Sequence, residues 1–380
     1  MRFRSVFSTR RADMSPLEKL VQVNWGLILL IAGVACIGFA MQYSAAGGSA
    51  DPWADRQMAR FGVGLVLLLA VALIDLRAWF RFAYGFYVVA LLLLVAVEVA
   101  GRIGMGAQRW LVLGPMQIQP SEITKVAVIL VLARYFHGLT REQAARFLYA
   151  VPPLAVILLP VGLVMVQPDL GTAMMLLLGG TAMLFVAGVR LWMFLAAAIA
   201  AVGCLPVAWS FMHDYQRKRV LTFLDPDRDP LGAGYHITQS KIAIGSGGLF
   251  GKGWLQGTQS SLNFLPEKQT DFIFTTFVEE WGMVGALVLL ALFTLILVWG
   301  FSIALRSQHH FGRLVALGVT AMMFLYVFIN TAMVMGLLPV VGVPLPLVSN
   351  GGTAMVSVMF ACGLLIGVNV YRDAQLPIAR

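Results

Sequence analysis

The sequence predicts an all-α polytopic membrane protein of about ten transmembrane helices, with a large extracytoplasmic loop between helices 7 and 8. Three observations carry that expectation. Of 380 residues, 59% are hydrophobic and only 12% are charged, and the mean hydropathy is +0.84. Apolar runs of near-bilayer length recur along the whole chain. Basic residues recur in the short gaps between them, as the positive-inside rule demands. A net charge of +9 would suggest nucleic acid in a soluble chain. Here anionic lipid is the expected partner of those charges, and no nucleic acid is expected.

The runs fall at roughly 25–42, 61–76, 82–99, 122–137, 148–166, 170–189, 191–211, 279–301, 314–335 and 353–370. The first follows a basic leader holding Arg2, Arg4, Arg10, Arg11 and Lys19. The second and third flank a turn with Arg77 and Arg81, and the fourth and fifth flank a loop with Arg134, Arg141 and Arg146. Arg190 separates the sixth and seventh, Arg306 and Arg313 the eighth and ninth, and the tenth runs into Arg372 and Arg380. All these basic groups belong on one side, the cytoplasm, and an even helix count then puts both termini there. The runs at 61–76 and 122–137 are short for a bilayer of about 30 Å, so flanking residues extend them or neighbouring helices shield them. The expected organisation is a cytoplasmic segment 1–24, a transmembrane domain 25–371 with an outer loop at about 212–278, and a cytoplasmic tail 372–380.

The small residues Ser44-Ala45-Ala46 after the first run mimic a signal-peptidase site. The run is too long for a signal core and leads into further spans, so no cleavage is expected. Cys36, Cys204 and Cys362 have no CxxC spacing and read as small core residues rather than a disulfide framework or zinc site. No internal repeat is evident, which weakens an inverted-repeat transporter reading. The 212–278 loop carries seven basic residues (Arg217, Lys218, Arg219, Arg228, Lys241, Lys252 and Lys268), yet loops of this length translocate largely regardless of charge. Its glycine clusters, Gly245-Ser246-Gly247-Gly248 and Gly251-Lys252-Gly253, alternate with apolar residues, which predicts a packed cap with tight turns.

Apart from those basic groups the ionisable residues are few, and the candidates lie at the outer ends of the runs. Leu265-Pro266-Glu267-Lys268-Gln269-Thr270-Asp271-Phe272-Ile273-Phe274 sets Asp271 at the mouth of a very apolar helix, where an acid is a functional candidate by default. Glu279 and Glu280 follow about 12 to 14 Å further on if the segment is helical, one of them facing the bundle. In Gln119-Pro120-Ser121-Glu122-Ile123-Thr124-Lys125, Ser121 reads as a helix N-cap, and Glu122 and Lys125 share a helix face. Those two are either a self-neutralising interfacial pair or, with Arg109 of Gly106-Ala107-Gln108-Arg109-Trp110, a charged lining for a phosphate. Asp169 of Gln167-Pro168-Asp169 suits a helix N-cap. It also lies on the same face as Glu122, Lys125 and Asp271, so one charge cluster is the expectation. The loop from Pro339 to Gly352 is apolar and broken by prolines and glycines, the composition of a re-entrant cavity wall. No P-loop, zincin or nucleophile-elbow motif occurs in a fitting context, and the five histidines show no metal-ligand spacing.

Taken in order, GAQRW, QPSEITK, QPDLGT, GSGGLFGKGWLQGTQ, LPEKQTDFIF with EEWG, and the final SNGG resemble the SEDS family (shape, elongation, division, sporulation) over about residues 20 to 372. Within it, GKGWLQGTQ and the short C-terminal tail are more similar to the elongation member than to the division member. Asn350 departs from the family's usual tyrosine, which bears on the packing of the last loop. The resemblance implies a peptidoglycan glycosyltransferase that polymerises lipid II at the outer face of the bacterial inner membrane. It implies Asp271 as the catalytic residue, with Glu122, Lys125 and Asp169 as supporting charges. It further implies a class B penicillin-binding protein as partner and an MreB-linked elongation complex. The chemistry is coherent: a base takes the hydroxyl proton, while Arg109, Lys125 and Lys252 or a divalent cation (Mg or Mn) hold the diphosphate. A lipid II flippase and a non-catalytic scaffold for the penicillin-binding partner are the alternatives.

The topology has a direct check. Cysteine in place of Ser261 is expected to react with an impermeant thiol reagent in intact spheroplasts, and cysteine in place of Gln143 is not. The reverse labelling overturns the ten-span arrangement.

Overall fold

The structure is a computed structural model describing residues 15–104, 107–113, 116–211, 217, 221–223, 225, 233–262, 264–265, 267–374 and 376. The leader arginines Arg2, Arg4, Arg10 and Arg11, together with Gly106, His213, Lys218, Arg219, Arg228, Pro266 and Arg380, lie outside the described residues. So do part of the expected outer loop and residues 1–14 of the expected N-terminal segment.

Each apolar run contains a helix. In chain order the helices are α1 (Pro16–Gln22), α2 (Trp25–Ala45), α3 (Ala54–Leu73), α4 (Leu76–Ala100), α5 (Pro120–His137), α6 (Arg141–Ala144) and α7 (Phe147–Val166). Then come α8 (Leu170–Val186), α9 (Leu191–Phe211), α10 (Ala233–Ser246), α11 (Thr258–Ser261), α12 (Ile273–Arg306), α13 (His310–Val334) and α14 (Gly352–Val370). Among the described residues, seven helices are long and apolar enough to cross a membrane, namely α2, α3, α4, α7, α12, α13 and α14. Helices α8 and α9 are apolar in shorter stretches. The chain is a multi-pass membrane protein, and its outward surface shows why: Leu29, Val66, Val99, Leu148 and Ile199 are 70–83% exposed. Such a belt is stable against lipid tails, not water.

The two short runs have two different explanations. Helix α3 begins seven residues before the expected 61, at Ala54, by recruiting the polar turn Ala54-Asp55-Arg56-Gln57. Helix α5 gains only two residues. It lies inside the bundle, with Val126 to Ala133 buried on every side, so it meets protein where other helices meet lipid. Helices α13 and α14 are the other well-buried elements. The cysteine expectation is corrected in part: Cys362 is buried, but Cys36 and Cys204 are exposed, because a small apolar side chain is equally at home against lipid.

One small sheet was not expected. Strands β1 (Arg102–Gly104), β2 (Ala107–Leu113) and β3 (Met116–Ile118) form an antiparallel ribbon in the order β1-β2-β3. It gathers with the other loops of that end. Thr353 at the start of α14 donates to the Gln117 carbonyl (3.4 Å), and Gln42 at the end of α2 donates to the Gln269 carbonyl (2.9 Å). At the opposite end Tyr371 donates to the Leu73 carbonyl (2.6 Å), Gln308 N–H to the Arg372 carbonyl (3.0 Å) and Asn369 to the Gln22 carbonyl (3.4 Å).

Helix α12 is broken. Gly282 has φ 68° and ψ −168°, a conformation open to glycine and closed to residues with a Cβ. The break frees carbonyls before it and amides after it, which cannot stay unpaired at membrane depth. The glycine-rich segment 247–253 supplies partners for four of them. Lys252 and Gly253 N–H donate to the Glu279 and Glu280 carbonyls (both 3.0 Å), and Met283 and Val284 N–H donate to the Gly248 and Leu249 carbonyls (2.9 and 3.1 Å). Close approach leaves no room for side chains, since a Cβ on Gly251 would strike the Glu280 carbonyl. The expected glycine cap is therefore a splice in a helix.

Gly282→Ala adds a strained φ, about 1–3 kcal/mol, and a clash with the Gly251 amide and the Leu249 carbonyl. It is expected to lower the unfolding midpoint in detergent by several degrees. Gly33→Ala, whose new Cβ meets nothing within 4 Å, leaves the midpoint near wild type.

Candidate functional site

Asp271 sits on a strap of turns between α11 and α12, and three successive main-chain carbonyls of that strap are gripped from outside it. The Gln269 carbonyl accepts from Gln42 Nε2 (2.9 Å) and from the Asn350 amide (2.8 Å). The Thr270 carbonyl accepts from Ser349 Oγ (2.6 Å), and the Asp271 carbonyl from Asn330 Nδ2 (2.9 Å). Two of those side chains bridge to a second loop. Gln42 Nε2 also donates to the Val348 carbonyl (3.0 Å), and Asn330 Nδ2 also donates to the Val343 carbonyl (2.8 Å). Each buried amide thus staples the strap to the last loop, residues 339–351.

That last loop is irregular and interior, as its composition predicts. Val341, Val343, Leu345, Leu347 and Val348 are all buried, and Gln57 Nε2 donates to the Ser349 carbonyl (2.8 Å). Asn350, the departure from the family pattern, accepts from Arg60 Nη1 through Oδ1 (2.7 Å), so its shorter side chain is used to anchor the loop to α3. The Asp271 carboxylate points to the glycine of this loop: Oδ2 lies 3.5 Å from the place a Cβ on Gly342 would occupy. Asp271 is half-buried. It is not a helix cap, because α12 starts from Phe272 with no side-chain cap bond.

Glu122 and Lys125 are paired, with Lys125 Nζ 2.7 Å from Glu122 Oε1 and both buried. Tyr326 completes the group. Its hydroxyl donates to Glu122 Oε2 (2.7 Å) and accepts from Lys125 Nζ. Since Tyr326 and Asn330 are one turn apart on α13, the charge group and the strap staple lie on one face, about 6 Å apart along the axis. The N-cap expectation for Ser121 is corrected. Pro120 is the first helical residue and Gln119 the cap, because proline's fixed φ and missing N–H suit the first position.

Asp169 caps α8, accepting from the Thr172 amide (3.2 Å) and from Thr172 Oγ1 (2.9 Å). It also takes a hydrogen bond from Gln119 Nε2 (3.2 Å) and pairs with Arg109 Nη1 at 3.7 Å. Arg109 reaches it from β2 and further donates to the Gln167 and Pro168 carbonyls. The structure therefore divides the expected cluster into two pairs, Glu122–Lys125 and Arg109–Asp169. The α8 start abuts the last loop, where a Cβ on Gly171 would strike the Val341 carbonyl. Lys252 belongs to a third group. Its ammonium bonds Glu279 Oε1 and Thr258 Oγ1, each at 2.7 Å. Both Glu279 and Glu280 are buried, at 0% and 3% exposure, where one of the two was expected to face the bundle. Lys268, on the strap, donates to the Ser260 carbonyl (2.7 Å), and burial lowers its pKa.

A sequence profile of the FTSW_RODA_SPOVE cell cycle protein family matches residues 21–374. The chain belongs to that family. It is 47% identical over 348 residues to the peptidoglycan glycosyltransferase MrdB of Escherichia coli K12, covering 91% of this chain and 93% of that one. A chain from a solved structure described as the structural coordination of polymerization and crosslinking by a peptidoglycan synthase complex superimposes with a TM-score of 0.80 at 35% identity. That match covers 92% of this chain and 98% of the other. The crystal structure of Thermus thermophilus rod shape determining protein RodA matches with a TM-score of 0.69 at 32% identity, covering 92% and 97%.

The sequence reading missed Gln42, Asn330, Tyr326 and Ser349. A signal was present for two of them: Gln42 and Asn330 are lone amides inside otherwise apolar runs, where a polar group marks a structural or functional contact. Tyr326 and Ser349 are unremarkable in sequence, and only the tertiary fold brings them to their partners.

Removing one member of a buried ion pair strands the other, at about 3–5 kcal/mol. Lys125→Met is expected to lower the detergent unfolding midpoint far more than Lys19→Met, and Glu122→Gln with Lys125→Met is expected to recover most of the loss. A double-mutant cycle should give a coupling of about 1–3 kcal/mol for Glu122 with Lys125, and a smaller one for Lys125 with Asp169.

Proposed function

We infer that this chain is a peptidoglycan glycosyltransferase of the elongation type, polymerising lipid II at the outer face of the bacterial inner membrane. One observation carries the reading. A half-buried carboxylate, Asp271, is fixed on a strap whose main chain is gripped at Gln269, Thr270 and Asp271, in a chain 47% identical to a named peptidoglycan glycosyltransferase. Asp271 is the general base. It takes the proton of the acceptor hydroxyl as that oxygen bonds the anomeric carbon, while the carbon–oxygen bond to the lipid diphosphate breaks and the diphosphate leaves with the electron pair.

The leaving group needs positive charge. Arg109 and Lys252 each retain 26% side-chain exposure and are the groups open to a diphosphate; Arg109 can hold it with two parallel hydrogen bonds. Lys125, at 4% side-chain exposure, supports the site by neutralising Glu122, and Asp169 orients Arg109. Among the described residues no group of three or more His, Cys, Asp or Glu side chains is arranged for a metal ion. A magnesium or manganese ion would therefore be held chiefly by the diphosphate, as magnesium usually is in phosphoryl sites, and would add charge neutralisation there.

The domain assignment follows from this reading: residues 1–24 and 372–380 in the cytoplasm, and the 212–278 segment outside. A class B penicillin-binding protein is the partner that crosslinks the strands, within an MreB-linked complex. The similarity to a chain of a synthase complex that coordinates polymerization and crosslinking supports that pairing.

General-base assistance contributes about 10²–10⁴-fold. Asp271→Asn is expected to lose nearly all polymer on purified lipid II with a divalent ion, while its unfolding midpoint and partner binding stay near wild type. Wild-type polymerisation by that variant removes Asp271 from the chemistry. Wild-type protein that moves lipid II across the bilayer without polymer is a flippase, and protein that does neither is a scaffold.

A further inference from the structure

A cavity of about 410 Å³ opens between the end of α2, the loop after it, α11, the strap and the first part of α12. Its lining includes Ser44, Trp53, Ser260, Lys268 and Glu280, none of which takes part in the base or leaving-group chemistry above. Glu280 is buried at 3% exposure. Its Oε1 accepts from Ser44 Oγ, with the Leu255 amide close by, and its Oε2 has no hydrogen-bond partner among the described residues. Glu279, which packs beside Glu280 against Gly257, is neutralised by Lys252 at 2.7 Å. Glu280 is thus the carboxylate that this end of the bundle presents to the cavity.

The chemistry of the lining selects a ligand class. A carboxylate only accepts hydrogen bonds and an ammonium only donates them. With Glu280 and Lys268 both lining the cavity, an anion meets Glu280 and a cation meets Lys268. A neutral group that both donates and accepts suits both. Ser44 and Ser260 add short polar side chains, while the Trp53 indole supplies an apolar face beside them. Hydroxyl-rich rings with apolar C–H faces meet that description. Lys268 and Asp271 are three residues apart on the strap, so their Cα atoms are at most about 11 Å apart.

We propose that this cavity is a saccharide subsite, holding the sugar unit of the glycan next to the one that reacts at Asp271. The proposal rests on the glycan-polymerising reading and adds a binding site to it. It places Glu280 and Lys268 as hydrogen-bonding partners of sugar hydroxyl and acetamido groups, with Trp53 beneath the ring.

The test is a calorimetric titration of the purified full chain with a soluble N-acetylglucosamine tetramer. Wild-type protein and Asp271→Asn are expected to bind alike. Glu280→Gln is expected to weaken binding about tenfold, roughly 1.4 kcal/mol, because its amide places a donor where an acceptor is needed. Ser261→Trp, which fills the cavity from an exposed position, is expected to abolish binding with the unfolding midpoint unchanged. Absence of binding by wild type, or equal binding by Ser261→Trp, overturns the subsite. Tighter binding of the deacetylated, cationic tetramer overturns it too, since that is charge recognition by Glu280. Because the titration needs no polymerisation, loss of the subsite leaves the Asp271 assignment standing, and a polymerising Asp271→Asn leaves the subsite standing.

Discussion

Backbone that leaves the helix inside a membrane must find every hydrogen bond within the protein, and the end of this molecule that bears Asp271 is organised around that constraint. Three stretches break helical geometry there: the α12 interruption at Gly282, the strap bearing Asp271, and the last loop. The segment 247–253 completes the first by main-chain pairing alone. Gln42 and Asn330 complete the other two together, each spending both protons of one amide on two different loops. The strap and the last loop are thus folded as a unit, and neither could be buried without the other.

This arrangement also explains why the charges are distributed as they are. Three cations at this end each have a carboxylate: Lys125 with Glu122, Arg109 with Asp169, and Lys252 with Glu279. Pairing offsets the desolvation of charges in a low-dielectric bundle, but only the first pair is sealed from outside. In the other two the cation keeps 26% of its side chain exposed while its carboxylate is buried. Asp271 lies beside Gly342, and Glu280 faces a cavity.

Much of this was legible in the sequence because hydropathy and charge position are strong signals in membrane chains. The ten runs each hold a helix, Glu122 and Lys125 meet as their three-residue spacing requires, and Asp169 caps its helix. The glycine clusters were visible as turns, but their purpose was not, since the break they mend is some thirty residues away at Gly282. Ser121 was misread because proline's preference for the first helical position outweighed the serine signature. The single charge cluster resolved into pairs because Arg109 rides on a β-ribbon whose short strands carry little periodic signal. Asp271 stood out as an acid at a helix mouth. The staples that hold it come from residues 42, 330 and 349, a long-range convergence that no local pattern encodes.

Helix α13 touches both halves of this assembly, through Tyr326 on the buried charge group and Asn330 on the strap. It runs as one continuous helix of 25 residues to His310 at the opposite end, where the His137 ring accepts from the Phe311 amide (3.2 Å). A helix of that length behaves as a connecting rod. A push, tilt or twist delivered to it at one end of the bundle arrives at the other with both grips shifted in step, so mechanical input at one end and chemical geometry at the other share a single rigid part.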